Sequence, residues 1–198
     1  DEGESAMITD EFTYETTYIM PENVSVDPYT WLCTWAPPGG SITKDDFEDY
    51  TVGDYLAVQS DWWSTWSNAP GTAEDAFVSD EQALSGTQSV KIEGTTDLVL
   101  VMENYETGAY VVELHMYVPT DGHGYYNLQK SPATGEEWAF QVDFPSDGTA
   151  VVDADGYGSA TFEFAFDEWM DLQVMVDIDA DWAEFYYNGT LIIGYPWS

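Results

Sequence analysis

Two stretches of this chain set aromatic rings beside amides and carboxylates, the residue types that hold a sugar. Ser60-Asp61-Trp62-Trp63-Ser64-Thr65-Trp66-Ser67-Asn68 is the richest in rings, and Tyr125-Tyr126-Asn127-Leu128-Gln129 adds rings next to amides. Sugars dock their apolar faces on aromatic rings while amides and carboxylates hold their hydroxyls. Trp62, Trp63, Trp66, Tyr125, Tyr126, Asn127 and Gln129 are therefore the candidate carbohydrate-binding residues. If the first segment is extended, Trp62 and Trp66 share one face and Trp63 takes the other. The competing reading is that most of these rings fill the interior, as aromatics usually do. Both readings stay open for Trp63, Tyr125 and Tyr126 as surface residues.

Metal chemistry has two candidate sites. Asp177-Ile178-Asp179-Ala180-Asp181 places three carboxylates at alternate positions, on one face if extended, and hard oxygen ligands suit Ca²⁺. An EF-hand loop needs glycine at its sixth position, where Trp182 stands, so that motif fails. The alternative is a solvated strand end and turn, which a chain this acidic offers readily. The second candidate is Asp45-Asp46-Phe47-Glu48-Asp49, with Asp46 and Glu48 as ligands. His115 and His123 are isolated in sequence, which predicts no zinc site.

Catalysis lacks its constellation. Glycosidases need two positioned carboxylates, and 38 acidic residues make accidental pairs everywhere. Glu136, Glu137 and Asp143 lie on or near one strand, with nothing to raise a pKa. No serine elbow is present, and Cys33 with two histidines forms no recognisable dyad. The chain reads as non-catalytic.

The elements that must position these residues are strands. Tyr110, Val112, Leu114, Met116 and Val118 alternate with Val111, Glu113, His115 and Tyr117. Trp138, Phe140, Val142 and Phe144 do the same with Ala139, Gln141 and Asp143, as do Phe162, Phe164 and Phe166 with Thr161, Glu163 and Ala165. Leu172, Val174, Val176 and Ile178 face away from Gln173, Met175, Asp177 and Asp179. One apolar and one polar face is the mark of an antiparallel sheet with a wet side. Asp121-Gly122, Asp147-Gly148, Asp155-Gly156 and Asn188-Gly189 are turn signals. No segment carries a 3.6-residue stripe over three turns. The pattern predicts an all-β fold, an antiparallel β-sandwich or barrel.

Residues 45–198 hold this strand succession, and residues 1–44 form a separate N-terminal extension. Its Phe12, Tyr14, Thr16 and Tyr18 share one face of a strand pattern, and Pro37-Pro38-Gly39-Gly40 reads as a linker or sharp turn. Phe12, Tyr14, Tyr18, Ile19, Trp31, Cys33 and Trp35 are the candidate assembly residues. An extended strand that pairs with a neighbour's sheet edge supplies main-chain hydrogen bonds, and head-to-tail contacts that do not close make filaments. The alternative is pairing within its own domain. Cys33 reads as a small buried hydrophobe, with cross-linking of two subunits as the other use. Asp1 looks like a mature or trimmed start.

Charge bounds the partners. The chain carries 38 Asp and Glu against three lysines and no arginine, a net charge of −35 over 198 residues. Such a surface repels itself, and abundant cations relieve it. High salt, calcium-rich or alkaline surroundings all fit. Nucleic acid and anionic membranes need a basic footprint that is missing here. A polyanionic sugar is repelled too, which leaves a neutral glycan. No apolar run is long enough to span a bilayer.

The closing segments carry a resemblance. Trp169-Met170-Asp171-Leu172-Gln173-Val174-Met175-Val176-Asp177, followed by Ala183-Glu184-Phe185-Tyr186-Tyr187-Asn188-Gly189-Thr190-Leu191-Ile192, resembles the last hairpin of laminin-G-like, concanavalin A-like jelly rolls. Asp46-Phe47-Glu48-Asp49-Tyr50 resembles the opening strand of such modules, and 83–92 the turn and strand after it. The resemblance covers 45–198 and implies a jelly roll of the kind found in secreted bacterial surface proteins. It also implies a structural Ca²⁺ tying first and last strands, with Glu48 and Asp177 as its ligands. Catalytic members carry Glu-x-Asp-x-x-Glu, and no glutamate here is followed two residues later by aspartate. The expectation is an extracellular, non-catalytic structural or adhesive surface protein. It associates with copies of itself or with other surface proteins through its N-terminal extension. The alternative is a lectin-like carbohydrate-binding module.

Overall fold

The computed structural model describes residues 45–102, 105–131 and 133–197. Among them are one short helix, α1 (Leu56–Gln59), and twelve strands. These are β1 (Trp63–Thr65), β2 (Phe77–Ser79), β3 (Ser89–Lys91), β4 (Leu98–Leu100), β5 (Ala109–Tyr117) and β6 (Gly124–Gln129). There follow β7 (Trp138–Phe144), β8 (Thr149–Asp153), β9 (Ser159–Glu163), β10 (Trp169–Asp177), β11 (Trp182–Tyr187) and β12 (Thr190–Tyr195). The fold is nearly all-β with antiparallel pairing throughout. No helix among the described residues is long and apolar enough to cross a membrane.

Two four-stranded sheets carry the structure, in the orders β12-β11-β10-β5 and β6-β7-β8-β9. Their inward residues meet in one cluster, a sandwich-like arrangement. Leu172, Val174 and Phe185 come from the first sheet, and Phe140, Val142, Phe144 and Phe162 from the second. Alternation selects these residues, because successive side chains of a strand point to opposite faces. Each large side chain so buried contributes about 1.5–3 kcal/mol. Two shorter pairs, β1 with β4 and β2 with β3, complete the described residues.

The turn signals fall where strands reverse. Asn188 and Gly189 adopt φ of 46° and 74° between β11 and β12, and Asp155 and Gly156 φ of 32° and 91° between β8 and β9. Positive φ at both central residues is the turn whose twist matches a hairpin.

The segment resembling an opening strand behaves differently. Residues 47–50 form bends and turns, and Phe47 has φ 64°. Asp45 Oδ1 accepts from the Phe47 amide and Asp46 Oδ1 from that of Glu48. Short acidic side chains thus capture the N–H groups that a ladder needs.

Glu48 then closes a long-range clasp. Its Oε1 accepts from the Thr87 and Gln88 amides at 2.8 and 3.0 Å, and Oε2 accepts from the Thr87 hydroxyl at 3.0 Å. Gly86, at φ 65°, is required beside it, since a Cβ there would collide with the Glu48 carboxylate. The Thr87 amide, foremost, holds the Glu48 carboxyl below the usual carboxylate range. A depressed pKa stabilises the fold above the unfolded value of about 4.3, and that contribution is lost as pH falls through the folded value. Glu48→Gln is therefore expected to melt below the parent at pH 7, with the gap closing on acidification. A gap that stays constant down to the acid limit would show that the clasp does not titrate.

Candidate functional site

The outward face of the β6–β9 sheet brings three of the proposed sugar contacts together. Tyr125, Asn127 and Gln129 occupy alternate positions on β6 and so share that face. Tyr125 is 49% exposed, and its hydroxyl donates to Gln141 Oε1 at 2.7 Å. Asn127 stands opposite Gln141 and Tyr125 opposite Asp143. Burial first, and then the Asp97 and Asp143 charges, push the Tyr125 phenol up, with Asn127 opposing, so the hydroxyl keeps its proton.

Trp66 joins this face at its edge. Its ring stacks on Trp138, with centroids 5.8 Å apart and planes 19° from parallel. Gly135 donates from its amide to Gln129 Oε1 at 2.7 Å and lies close under the Trp66 ring. Gly135 has φ 79°, and a Cβ would come within 3.0 Å of Trp66 Cζ2, so glycine lets the loop approach. The result is a half-exposed ring, three amides and an indole pair.

The other proposed contacts separate from it. Tyr126 points the opposite way from Tyr125 and packs edge-on against Phe140, with centroids 5.5 Å apart. Part of its ring remains accessible, but its hydroxyl is sealed and has no hydrogen-bond partner. Burial pushes that phenol well up. Tyr126 thus belongs to the core, because strand alternation allows only one of two adjacent tyrosines to face out. Trp63 is tied down by an indole hydrogen bond to Asp45 Oδ2 at 2.8 Å and by the Phe47 ring. Trp62 is 51% exposed, just before β1.

No three of the proposed calcium ligands come together among the described residues. β10 ends at Asp177, and 178–181 form a turn, so the alternation that would align Asp177, Asp179 and Asp181 stops at the first of them. Asp177 Oδ1 accepts from the Ala180 amide and Asp179 Oδ2 from the Gly108 amide, while Asp181 adopts φ 55°. Asp46 caps its own turn, and Glu48 is spent on Thr87 and Gln88. The assembly residues Phe12, Tyr14, Tyr18, Ile19, Trp31, Cys33 and Trp35, and the whole 1–44 extension, lie outside the described residues.

One constellation escaped the sequence reading. His115, isolated in sequence, stands in space with Glu113 and Asp171 on the outward face of the β12-β11-β10-β5 sheet. One ligand atom from each lies within 4.8 Å of the others, the sole such group among the described residues. His115 Nε2 is 3.6 Å from Glu113 Oε1 and 4.0 Å from Asp171 Oδ1. Register explains the meeting: β10 pairs with β5 so that Asp171 faces His115 and Gln173 faces Glu113. Burial raises the Asp171 pKa, against the lowering influence of His115. The same face carries Glu184, which accepts from the Trp182 indole at 3.0 Å and the Tyr186 hydroxyl at 2.6 Å. The polar alternation of Glu113 and His115 was the available signal. Which strand lay beside them was not.

No protein-family model, curated protein or solved structure matches the chain.

Proposed function

We propose that this chain is a non-catalytic, extracellular surface protein that adheres to neutral glycans through the outward face of β6 and β7, and that its two sheets form a concanavalin A-type jelly roll. The observation that carries this reading is Tyr125, a half-exposed ring anchored by its own hydroxyl among Asn127, Gln129 and Gln141. A ring held at its edge keeps its face available for a pyranose. Anchored amides beside it offer donors and acceptors at little entropic cost. A net charge of −35 disfavours acidic sugars and suits a solvated exterior.

The test is retention on an array of neutral glycans, followed by titration of whichever glycan is held. Tyr125→Ala is expected to weaken binding at least about tenfold, equivalent to ~1.4 kcal/mol. The fold should survive, because the ring contributes little to the core, and near-ultraviolet circular dichroism checks this. Equal binding by Tyr125→Ala and the parent, or no neutral glycan held by the parent, would overturn the reading.

A further inference from the structure

We propose that the outward face of the β12-β11-β10-β5 sheet carries a divalent transition-metal site of zinc type, ligated by Glu113, His115 and Asp171, with the Gln173 amide beside them. This site is independent of the glycan face, which lies on the other sheet.

The geometry is built by the strand pair. Glu113 and His115 are two apart on β5 and share a face. Asp171 and Gln173 stand opposite His115 and Glu113 on β10, making a square of four side chains. The Asp171 amide donates to Asn188 Oδ1 and its carbonyl accepts from the Asn188 amide. Both backbone groups therefore point away from β5, and Asp171 and His115 form a non-hydrogen-bonded pair, the kind that brings side chains closest.

The separations suit a small cation. Tetrahedral zinc with bonds of 2.0–2.1 Å needs neighbouring donors about 3.4 Å apart. The donors here are 3.6 and 4.0 Å apart along the two edges that meet at His115, and all three lie within 4.8 Å of one another, so closure takes side-chain rotation. The three protein ligands leave a fourth tetrahedral position, which the Gln173 amide oxygen or a further ligand fills. An imidazole among the three disfavours calcium, which takes oxygen alone.

A second observation points the same way. Gln173 is 7% exposed, and its amide nitrogen is sealed without a hydrogen-bond partner beside Glu113. Turned end for end, that amide presents an oxygen donor. Asp171 Oδ1 is likewise sealed with no hydrogen-bond partner. Burying a carboxylate is costly unless a cation or a donor compensates, and beside Asp171 His115 does so only when protonated. The two described lysines are engaged elsewhere: Lys91 pairs with Glu81 and Glu93, and Lys130 lies over Tyr157 and Trp197.

The experiment uses the full chain in 1 M NaCl, where a Debye length of about 3 Å suppresses diffuse counterion binding. The chain is stripped with chelator, titrated with ZnCl₂, and its metal content is read by mass spectrometry after gel filtration. One zinc per chain is expected, not displaced by excess CaCl₂, and Co²⁺ in its place should give visible d–d absorption. His115→Gln and Asp171→Asn should each weaken zinc binding at least about tenfold while near-ultraviolet circular dichroism is unchanged. The two variants are read separately, so misfolding of one leaves the other as the test. No stoichiometric zinc, displacement by calcium, or parent-like affinity in a folded variant would overturn the proposal.

Discussion

Phe185→Ala is expected to destabilise the fold by about 3–5 kcal/mol. Phe185 is fully buried on β11 and links the two sheets through its ring contacts. Its centroid lies 5.6 Å from Phe140 on β7 and 6.0 Å from Phe162 on β9. Truncation removes the transfer energy of the ring and leaves a cavity between layers that neither sheet can fill without bending. Urea unfolding should show a lower midpoint at unchanged slope. Phe185→Leu restores much of the volume and should cost less than about 1.5 kcal/mol. A loss under about 1 kcal/mol for the alanine variant would mean that the sheets do not share one core at this point.

Asp75→Ala is expected to cost about 2–5 kcal/mol, which is large for a residue outside that core. Asp75 is 2% exposed, with Oδ1 accepting from the Ala57 amide at 3.0 Å and Oδ2 from the Gly71 amide at 2.9 Å. It thereby ties the loop at 71–75 to helix α1. Two opposing effects must be weighed. Removing a buried charge relieves a desolvation penalty. It also strands two amide donors, at about 1–3 kcal/mol each, and hydrogen bonds to a charged acceptor are the stronger kind. The stranded donors win, because each carboxylate oxygen serves an amide of a different segment. Asp75→Asn keeps one oxygen and should lie between the parent and Asp75→Ala. The same urea titration decides the matter, and parent-like stability of the alanine variant would refute it.

Much of the described fold was legible because its causes are local. The strands at 109–117, 138–144 and 169–177 follow from apolar alternation, and the hairpin at Asn188-Gly189 from the ease with which those residues reach positive φ. The misreadings share a local cause as well. At 46–50 a resemblance implied a strand and at 178–181 the carboxylates alternated on paper, yet aspartates captured nearby backbone amides and turned the chain. Tyr125 and Tyr126 were both offered as sugar contacts, although a strand can present only one of them outward.

The sequence by itself determined the all-β character, the antiparallel alternation, the main turns and an electrostatic exterior hostile to anions. Each depends on residue type and on neighbours a few positions away. Only the tertiary structure decided which polar residues meet. His115 gained Glu113 and Asp171 because β10 lies beside β5, and Gln129 gained Trp66 because Gly135 bridges them. Strand order and register are set by how two sheets close over a common core, a long-range balance that no local pattern encodes.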